Sequence, residues 1–212
     1  MADNYLENKM EEHLAPKNVS PKRAASLDSL LLRNRSQRGY DSSIVVRADQ
    51  LRRIIEVNTR IPSARNQQVL RFRPVLQDEA GKVLPHIRLG GALPEWHLPL
   101  PGTEPRNFIV ICSTVPESRY VDMDLGISAQ SMLLKATEMG LNGICIGAFD
   151  KEAVRQSLQL PYEPILILAI GKGCEKIELV EISEDDSHQY YRQNGIHYVP
   201  KVRLSELILE SK

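Results

Sequence analysis

Three short apolar runs constrain the fold of this chain more than any other feature. FIVIC at 108–112, GICIGAF at 143–149 and PILILAIG at 164–171 are bounded by turn residues, which is typical of buried strands. A helical stretch from Tyr120 to Met139 lies between the first two, and Gly140 follows it as a C-cap. Asp150 is expected to cap a second helix, which reaches about residue 160. Helices that alternate with buried strands predict an α/β or α+β domain, and a parallel βαβ unit would make 143–149 and 164–171 neighbours.

The remaining stretches add helices, less regular strands and one long loop. Helices are predicted from Ser20 to about Arg33 and from 47 to 59. The runs 69–76 and 82–89 are predicted as paired strands, edge or irregular because each contains a proline. Residues 90–106 form a loop with four prolines. The tail at 185–212 is polar, and residues 1–20 are interpreted as a polar N-terminal arm, which leaves 21–212 as a single domain.

Charge and cysteine usage exclude several classes of protein. The chain has 27 basic and 27 acidic side chains, so it lacks the basic excess of a nucleic-acid-binding domain, and no nucleic-acid partner is expected. The ILILAI run at 165–170 is too short to cross a bilayer, and the N-terminus lacks the apolar segment of a signal peptide. Three cysteines without CxxC spacing favour a cytoplasmic protein with reduced thiols. Cys112 and Cys145 lie in apolar runs and are expected to be buried structural thiols.

Several common chemistries have no matching motif. There is no GxxxxGK[ST] phosphate loop and no GxSxG nucleophile elbow. Gly171 and Gly173 follow a strand, but Lys176 occupies the third glycine position of a dinucleotide fingerprint. The five histidines show no metal-ligand spacing, so no metal site is predicted.

Three polar segments remain as candidates for a binding site. RNRSQR at 33–38 holds three arginines, PSARNQQ at 62–68 is rich in amides and hydroxyls, and KVR at 201–203 adds two cations. Each has a purely structural interpretation. The first and third can be solvated surface, and the second can be a turn that caps neighbouring elements.

Taken in order, these segments resemble the nitroreductase family of flavin enzymes. The order is RNRSQRGY, IPSARNQQ, a helix with Asp124, Gly126 and Gln130, then GLNGICIGAFD, LAIGKG and KVR. The resemblance runs from about residue 28 to 205. It implies a three-layer α+β fold, in which helices flank a central mixed, mainly antiparallel sheet, and a homodimer with two shared sites.

The resemblance also implies FMN as cofactor and assigns its binding residues. Asn34 stands where the family often has another arginine, and Arg65 replaces a small residue. A phosphate requires guanidinium or ammonium donors, and an amide-rich turn suits ribityl hydroxyls. The residues that match the family's flavin-binding segments are Arg35, Ser36, Arg38, Pro62, Ser63, Asn66, Gln68, Gly147, Ala148, Lys201 and Arg203.

The implied activity is an FMN-dependent NAD(P)H oxidoreductase with a ping-pong mechanism. NADH or NADPH would give a hydride to flavin N5, near the backbone N–H of Gly147, and a small organic acceptor such as a nitroaromatic or quinone would then be reduced. No side chain is predicted to be catalytic, because the cofactor carries the chemistry. Two alternatives stay open: an FMN-binding protein without efficient turnover, and a structural domain that holds no flavin. The 90–106 loop, with Trp96 and His97, is either a lid over the site or an arm for dimer packing.

Overall fold

A four-stranded sheet and a separate three-stranded sheet organise the protein. The computed structural model describes residues 25–91, 93 and 96–209, so the predicted arm at 1–20 lies outside the described residues. The helices are α1 (Leu27–Arg33), α2 (Ala48–Ile55), α3 (Arg119–Glu138), α4 (Lys151–Ser157) and α5 (Leu204–Leu207). The strands are β1 (Leu70–Val75), β2 (Phe108–Ser113), β3 (Asn142–Ile146), β4 (Glu163–Gly171), β5 (Lys176–Ile182), β6 (Tyr191–Gln193) and β7 (Ile196–Val202).

The larger sheet lies between two apolar cores. Its strand order is β1-β2-β4-β3, and every pairing in it is antiparallel. Successive side chains of a strand point to opposite faces. Phe108 and Val110 therefore enter the core beneath α4, whereas Ile109 and Ile111 enter the core shared with α2 and α3. The predicted class, helices on both faces of a mainly antiparallel sheet, is confirmed.

Gly140 and Asp150 act at the helix ends as predicted, and Ser118 adds a cap that the sequence analysis did not predict. The Ser118 hydroxyl accepts a hydrogen bond from the Val121 N–H at 3.4 Å, and α3 begins there. Gly140 follows the helix with φ +79°, a conformation that glycine adopts without strain. Asp150 caps α4 by accepting from the Ala153 N–H at 3.0 Å. Ser26 caps α1, which begins at Leu27, and the predicted helix start at Ser20 lies outside the described residues.

Gly143 lets β3 lie unusually close to its neighbours. A Cβ added there would be 2.6 Å from both the Ala169 carbonyl oxygen and Leu133 Cδ2. The far edge of β3 meets the segment after α1, where Ser36 forms a parallel bridge with Gly143. The missing side chain therefore helps to position the segment that contains the arginine cluster.

Three sequence-based expectations are wrong in detail, and the tail contains two strands that the sequence did not predict. Residues 82–89 form no strand: they include the end of the 3₁₀ turn Gln77–Lys82 and the whole turn Leu84–His86, where Pro85, which has no N–H, lies in the first turn. The runs 143–149 and 164–171 are neighbours, but antiparallel. Cys145 is exposed, whereas Cys112 is buried as expected. The polar tail contains β6 and β7, which pair with β5 in the second sheet, with β5 and β7 parallel.

Candidate functional site

The arginine cluster and strand β7 form the walls of one small cavity. Its volume is about 190 Å³. Four of the predicted flavin-binding residues line it together: Arg35, Ser36, Arg38 and Lys201. The other lining residues are Asn34, Ile177, Tyr190, His197 and Val199. We call this the cationic cavity.

Buried polar contacts fix the backbone of the arginine cluster. The Gln37 N–H donates to the Gly143 carbonyl at 3.2 Å, and the buried Gln37 side chain accepts from the Glu175 N–H at 3.0 Å. The Glu175 carboxylate in turn accepts from the backbone N–H groups of Arg38 and Gly39, the second at 3.2 Å. The loop is therefore held by groups from β3 and from the residues after β4.

Glu175 also forms a nearly buried ion pair with Arg192 of β6. Their side chains are 10% and 12% exposed. Arg192 lies over the ring of Trp96, with 5.2 Å between its guanidinium carbon and the ring centroid. Arg192 neutralises the Glu175 carboxylate. No acidic side chain is among the lining residues of the cavity, so Arg35, Arg38 and Lys201 give it a positive charge.

The two arginines of the cavity are held differently. Arg38 is buried, donates to the Ser36 carbonyl at 3.3 Å and lies 5.5 Å from the Tyr190 ring centroid. Arg35 donates from Nη2 to the Leu31 carbonyl at 2.7 Å, while its buried Nε has no partner in the described part of the chain. Burial lowers the pKa of Arg35, although a guanidinium stays protonated at neutral pH.

Arg203 does not line the cationic cavity. It is exposed at the start of α5, where its Nε pairs with Glu206 at 3.2 Å. The two cations that the resemblance assigns to flavin binding are thus separated. Lys201 lines the cavity, whereas Arg203 pairs with the Glu206 carboxylate.

The amide-rich turn lines a different and larger cavity of about 660 Å³. Pro62, Ser63 and Gln68 are in its wall, together with Asp124 and Ser128 of α3. Asn66 does not line it. Its side-chain oxygen instead accepts from the Gln68 amide at 3.0 Å, and both residues have positive φ, 52° and 47°.

Asp124 holds this turn in place. Its buried carboxylate accepts from the Ser63 hydroxyl at 3.0 Å, the Ala64 N–H at 2.7 Å and the Gln67 amide at 2.9 Å. Burial raises the pKa of a carboxyl group, but the hydrogen bonds from Ala64, Gln67 and Ser63 outweigh it, so the pKa of Asp124 is lowered. The aspartate in the sequence pattern therefore organises the turn in its ionised form.

Gly147 and Ala148 follow β3 and lie apart from both cavities. Gly147 is exposed, and a Cβ added there would meet no atom within 4 Å, so packing does not require a glycine. The Ala148 carbonyl accepts from the Arg88 N–H at 2.9 Å. Ala148 lines a third cavity of about 440 Å³, between 85–88 and 148–150.

Within one chain, the amide-rich turn and the arginine cluster meet different sides of α3. The turn binds Asp124, whereas Asn34 donates to Gln130 at 3.4 Å. In an α-helix, six residues correspond to about 9 Å along the axis and about 120° around it. The predicted flavin ligands therefore fall into separate groups in a single copy.

Two kinds of feature are absent from the described residues. Across residues 25–91, 93 and 96–209, no helix is long and apolar enough to cross a membrane. Over the same ranges, no group of three or more His, Cys, Asp or Glu side chains has the arrangement of a metal site.

Comparison with known proteins identifies the fold. A sequence model of the Nitroreductase family matches residues 102–172, from the turn before β2 to the end of β4. A Methanocaldococcus jannaschii protein named "Putative nitroreductase MJ1384" is 37% identical over 57 residues, which are 27% of this chain and 29% of that protein. The match thus spans less than a third of that relative's length.

Solved structures extend the likeness over most of the chain. A nitroreductase family protein from Streptococcus pneumoniae superposes with a TM-score of 0.63 at 18% identity, over 88% of this chain and all of that one. The chain has the nitroreductase fold. An FMN-dependent nitroreductase from Clostridium difficile gives a TM-score of 0.59 at 20% identity, over 79% of this chain and 99% of that one. The resemblance predicted from the sequence is confirmed.

The sequence alone missed several residues around the cationic cavity of this nitroreductase fold. Glu175, Tyr190, Arg192 and His197 were not singled out, yet they support or line the cavity. They come from the 175–202 region, in which the sequence did not predict β6 and β7. The Asn194-Gly195 pair, at φ 51° and 77°, is the hairpin signal that could have revealed β6 and β7.

Proposed function

We propose that the chain is an FMN-dependent oxidoreductase, which passes reducing equivalents from NADH or NADPH to a small organic acceptor such as a nitroaromatic or a quinone. The observation that carries this proposal is the cationic cavity. It gathers Arg35, Arg38 and Lys201 in a chain that has the nitroreductase fold. The order of reaction is ping-pong, with the donor leaving before the acceptor binds.

The chemistry of the cationic cavity fits the phosphate of FMN. A phosphate dianion accepts charge-assisted hydrogen bonds from guanidinium and ammonium groups, and Ser36 adds a hydroxyl. The unpartnered Nε of Arg35 leaves a donor for it. When bound, FMN supplies the redox chemistry, and the protein supplies binding, orientation and electrostatics.

The other residues of the proposed site orient the rest of the cofactor. Ser63 and Gln68, held through Asp124, present hydroxyl and amide groups at the wall of the larger cavity. The exposed backbone at Gly147, without a side chain, leaves room for a flat ring to approach. Because one chain keeps these groups apart, we infer a homodimer in which each site takes the arginine cluster from one copy and the 62–68 turn from its partner.

The first experiment is the visible absorption spectrum of the purified protein, before and after addition of NADH or NADPH under nitrogen. The proposal expects a yellow protein whose 450 nm region bleaches with at least one donor. A yellow protein that neither donor bleaches would support a flavin-binding protein without turnover. A protein that stays colourless after incubation with FMN would refute the cofactor assignment.

A mixing experiment tests the shared site. An Arg38→Met variant damages one half of the site and a Ser63→Ala variant the other, so each homodimer alone should hold FMN poorly. If every site combines two copies, random heterodimers have one intact site, and co-expression restores about a quarter of the wild-type sites. Co-expression that restores no FMN binding would show that both residues act within one copy or in no common site.

A further inference from the structure

His197 lies in the wall of the cationic cavity, near the start of β7. Its side chain is buried, with 3% of the residue exposed. The ring is 5.4 Å from the Tyr190 ring, centroid to centroid, and Nε2 is 3.5 Å from Nη1 of Arg38. Neither motif nor spacing marked this histidine as part of a site.

The neighbour of Nε2 determines which nitrogen carries the proton. A guanidinium donates and never accepts, so Nε2 must face Arg38 with its lone pair. The proton of the neutral ring is then on Nδ1. Burial, and then the nearby charges of Arg38 and Arg192, lower the pKa of His197, against the opposing effect of Glu175, so the ring is neutral at pH 7.

This assignment leaves a donor without an acceptor. The buried Nδ1 of His197 has no hydrogen-bond partner in the described part of the chain. A buried N–H that lacks an acceptor is destabilising, so such groups are uncommon in folded proteins. The buried Nε–H of Arg35, which lines the same cavity, likewise has no hydrogen-bond partner in the described part of the chain.

We propose that His197 is a phosphate-binding residue, whose Nδ1–H donates to an oxygen of a phosphate monoester in the cationic cavity. The inference rests on the proposed function in that FMN is the source of that phosphate. His197 would then contribute to discrimination between FMN and riboflavin, which differ only in the phosphate. It adds a neutral donor beside Arg35, Arg38 and Lys201.

The test measures Kd for FMN and for riboflavin by quenching of flavin fluorescence at pH 7.5, with protein stripped of bound flavin. Asparagine places an amide N–H near the position of Nδ1, whereas glutamine places one near Nε2. The variants are therefore His197→Asn, His197→Gln and His197→Phe. His188→Asn is the matched control, because His188 is exposed and its one hydrogen bond within the described residues is with the Glu184 carbonyl, at 3.2 Å.

A hydrogen bond to a charged group predicts about a tenfold loss of FMN affinity in His197→Gln and His197→Phe, with riboflavin affinity changed less than about twofold. His197→Asn and the control should stay near wild type. If His197→Phe does not fold, the comparison of His197→Asn with His197→Gln still tests the proposal. Equal losses for FMN and riboflavin, or equal effects of asparagine and glutamine, would overturn the proposal.

Two arms separate this inference from the proposed function. If wild-type protein binds FMN no better than riboflavin, the proposed phosphate site fails as a whole. Inorganic phosphate is titrated against bound FMN to test whether the cavity recognises the phosphate group itself. The Ki for phosphate is calculated from this competition with each protein's own Kd for FMN. A Ki that rises in His197→Gln supports a general phosphate donor, whereas a Ki equal in both proteins would contradict a direct contact.

Discussion

Asp124 provides the most direct test of how the amide-rich turn is built. Replacement by alanine removes an acceptor of three hydrogen bonds and leaves the Ala64 N–H and the Gln67 amide to find new partners. Hydrogen bonds to a charged group contribute about 1.5–3 kcal/mol each, and the cost of burying the carboxylate offsets part of their sum. We therefore expect Asp124→Ala to lose about 3 kcal/mol of unfolding free energy, which for a domain of this size lowers Tm by roughly 6–12 °C.

The isosteric Asp124→Asn variant separates charge from shape. Its oxygen still accepts from Ala64, but its amide cannot accept from Gln67, so we expect a loss of about 1–2 kcal/mol. Urea unfolding followed by circular dichroism measures both changes. Asp122→Asn, an exposed change on the same helix, should stay within about 0.5 kcal/mol of wild type. If Asp124→Ala unfolds at the same urea concentration as this control, the three hydrogen bonds do not hold the turn.

The same residue sets a pH dependence with a definite sign. The pKa of Asp124 is lower in the folded protein than in the unfolded chain, so its contribution is present above about pH 4 and is lost as the pH falls through the folded pKa. The stability difference between wild type and Asp124→Asn should therefore shrink between pH 5 and pH 3. A difference that stays constant over that range would contradict the ionised carboxylate.

Three further substitutions test the supports of the cationic cavity. Gly143→Ala should lower the free energy of unfolding by about 3 kcal/mol, because the new methyl group would lie 2.6 Å from the Ala169 carbonyl oxygen. Urea unfolding measures this loss, and a loss below about 0.5 kcal/mol would refute the close approach. Glu175→Gln leaves the nearly buried Arg192 without its counter-charge, so we expect the free energy of unfolding to fall by about 3 kcal/mol in the same assay. An unchanged urea midpoint would show that the ion pair does not contribute to stability. Trp96→Ala should alter the acceptor KM if the 90–106 loop is a lid, and unchanged acceptor kinetics would remove that role.

The parts of the fold that the sequence predicted are those with strong local signals. β2 and β4 are continuous apolar runs that are buried on both faces, and α3 has a serine cap at one end and a glycine at the other. Local physics decides these elements, so they can be recognised without knowledge of what they pack against. The wrong strand at 82–89 has apolar residues at alternating positions, but Val83 reaches the core from its place between two 3₁₀ turns.

The candidate site depended on contacts between distant residues. Arg35, Arg38 and Lys201 were predicted from a family resemblance, and the structure brings them to one cavity. Glu175 and His197 carry no local pattern. Their contacts with the arginine cluster span 137 and 159 positions, and no periodicity or spacing encodes them.

The two walls of the cationic cavity come from opposite ends of the described chain, and this links ligand retention to folding as a whole. Arg38 lies on a loop against β3, and His197 lies on a strand of the other sheet, 159 positions later. Local opening of either wall separates the groups, so a molecule held between them stabilises both regions together. We expect such a ligand to slow amide hydrogen exchange in residues 35–40 and 196–202 alike. Its release would be an early sign that either sheet has begun to open.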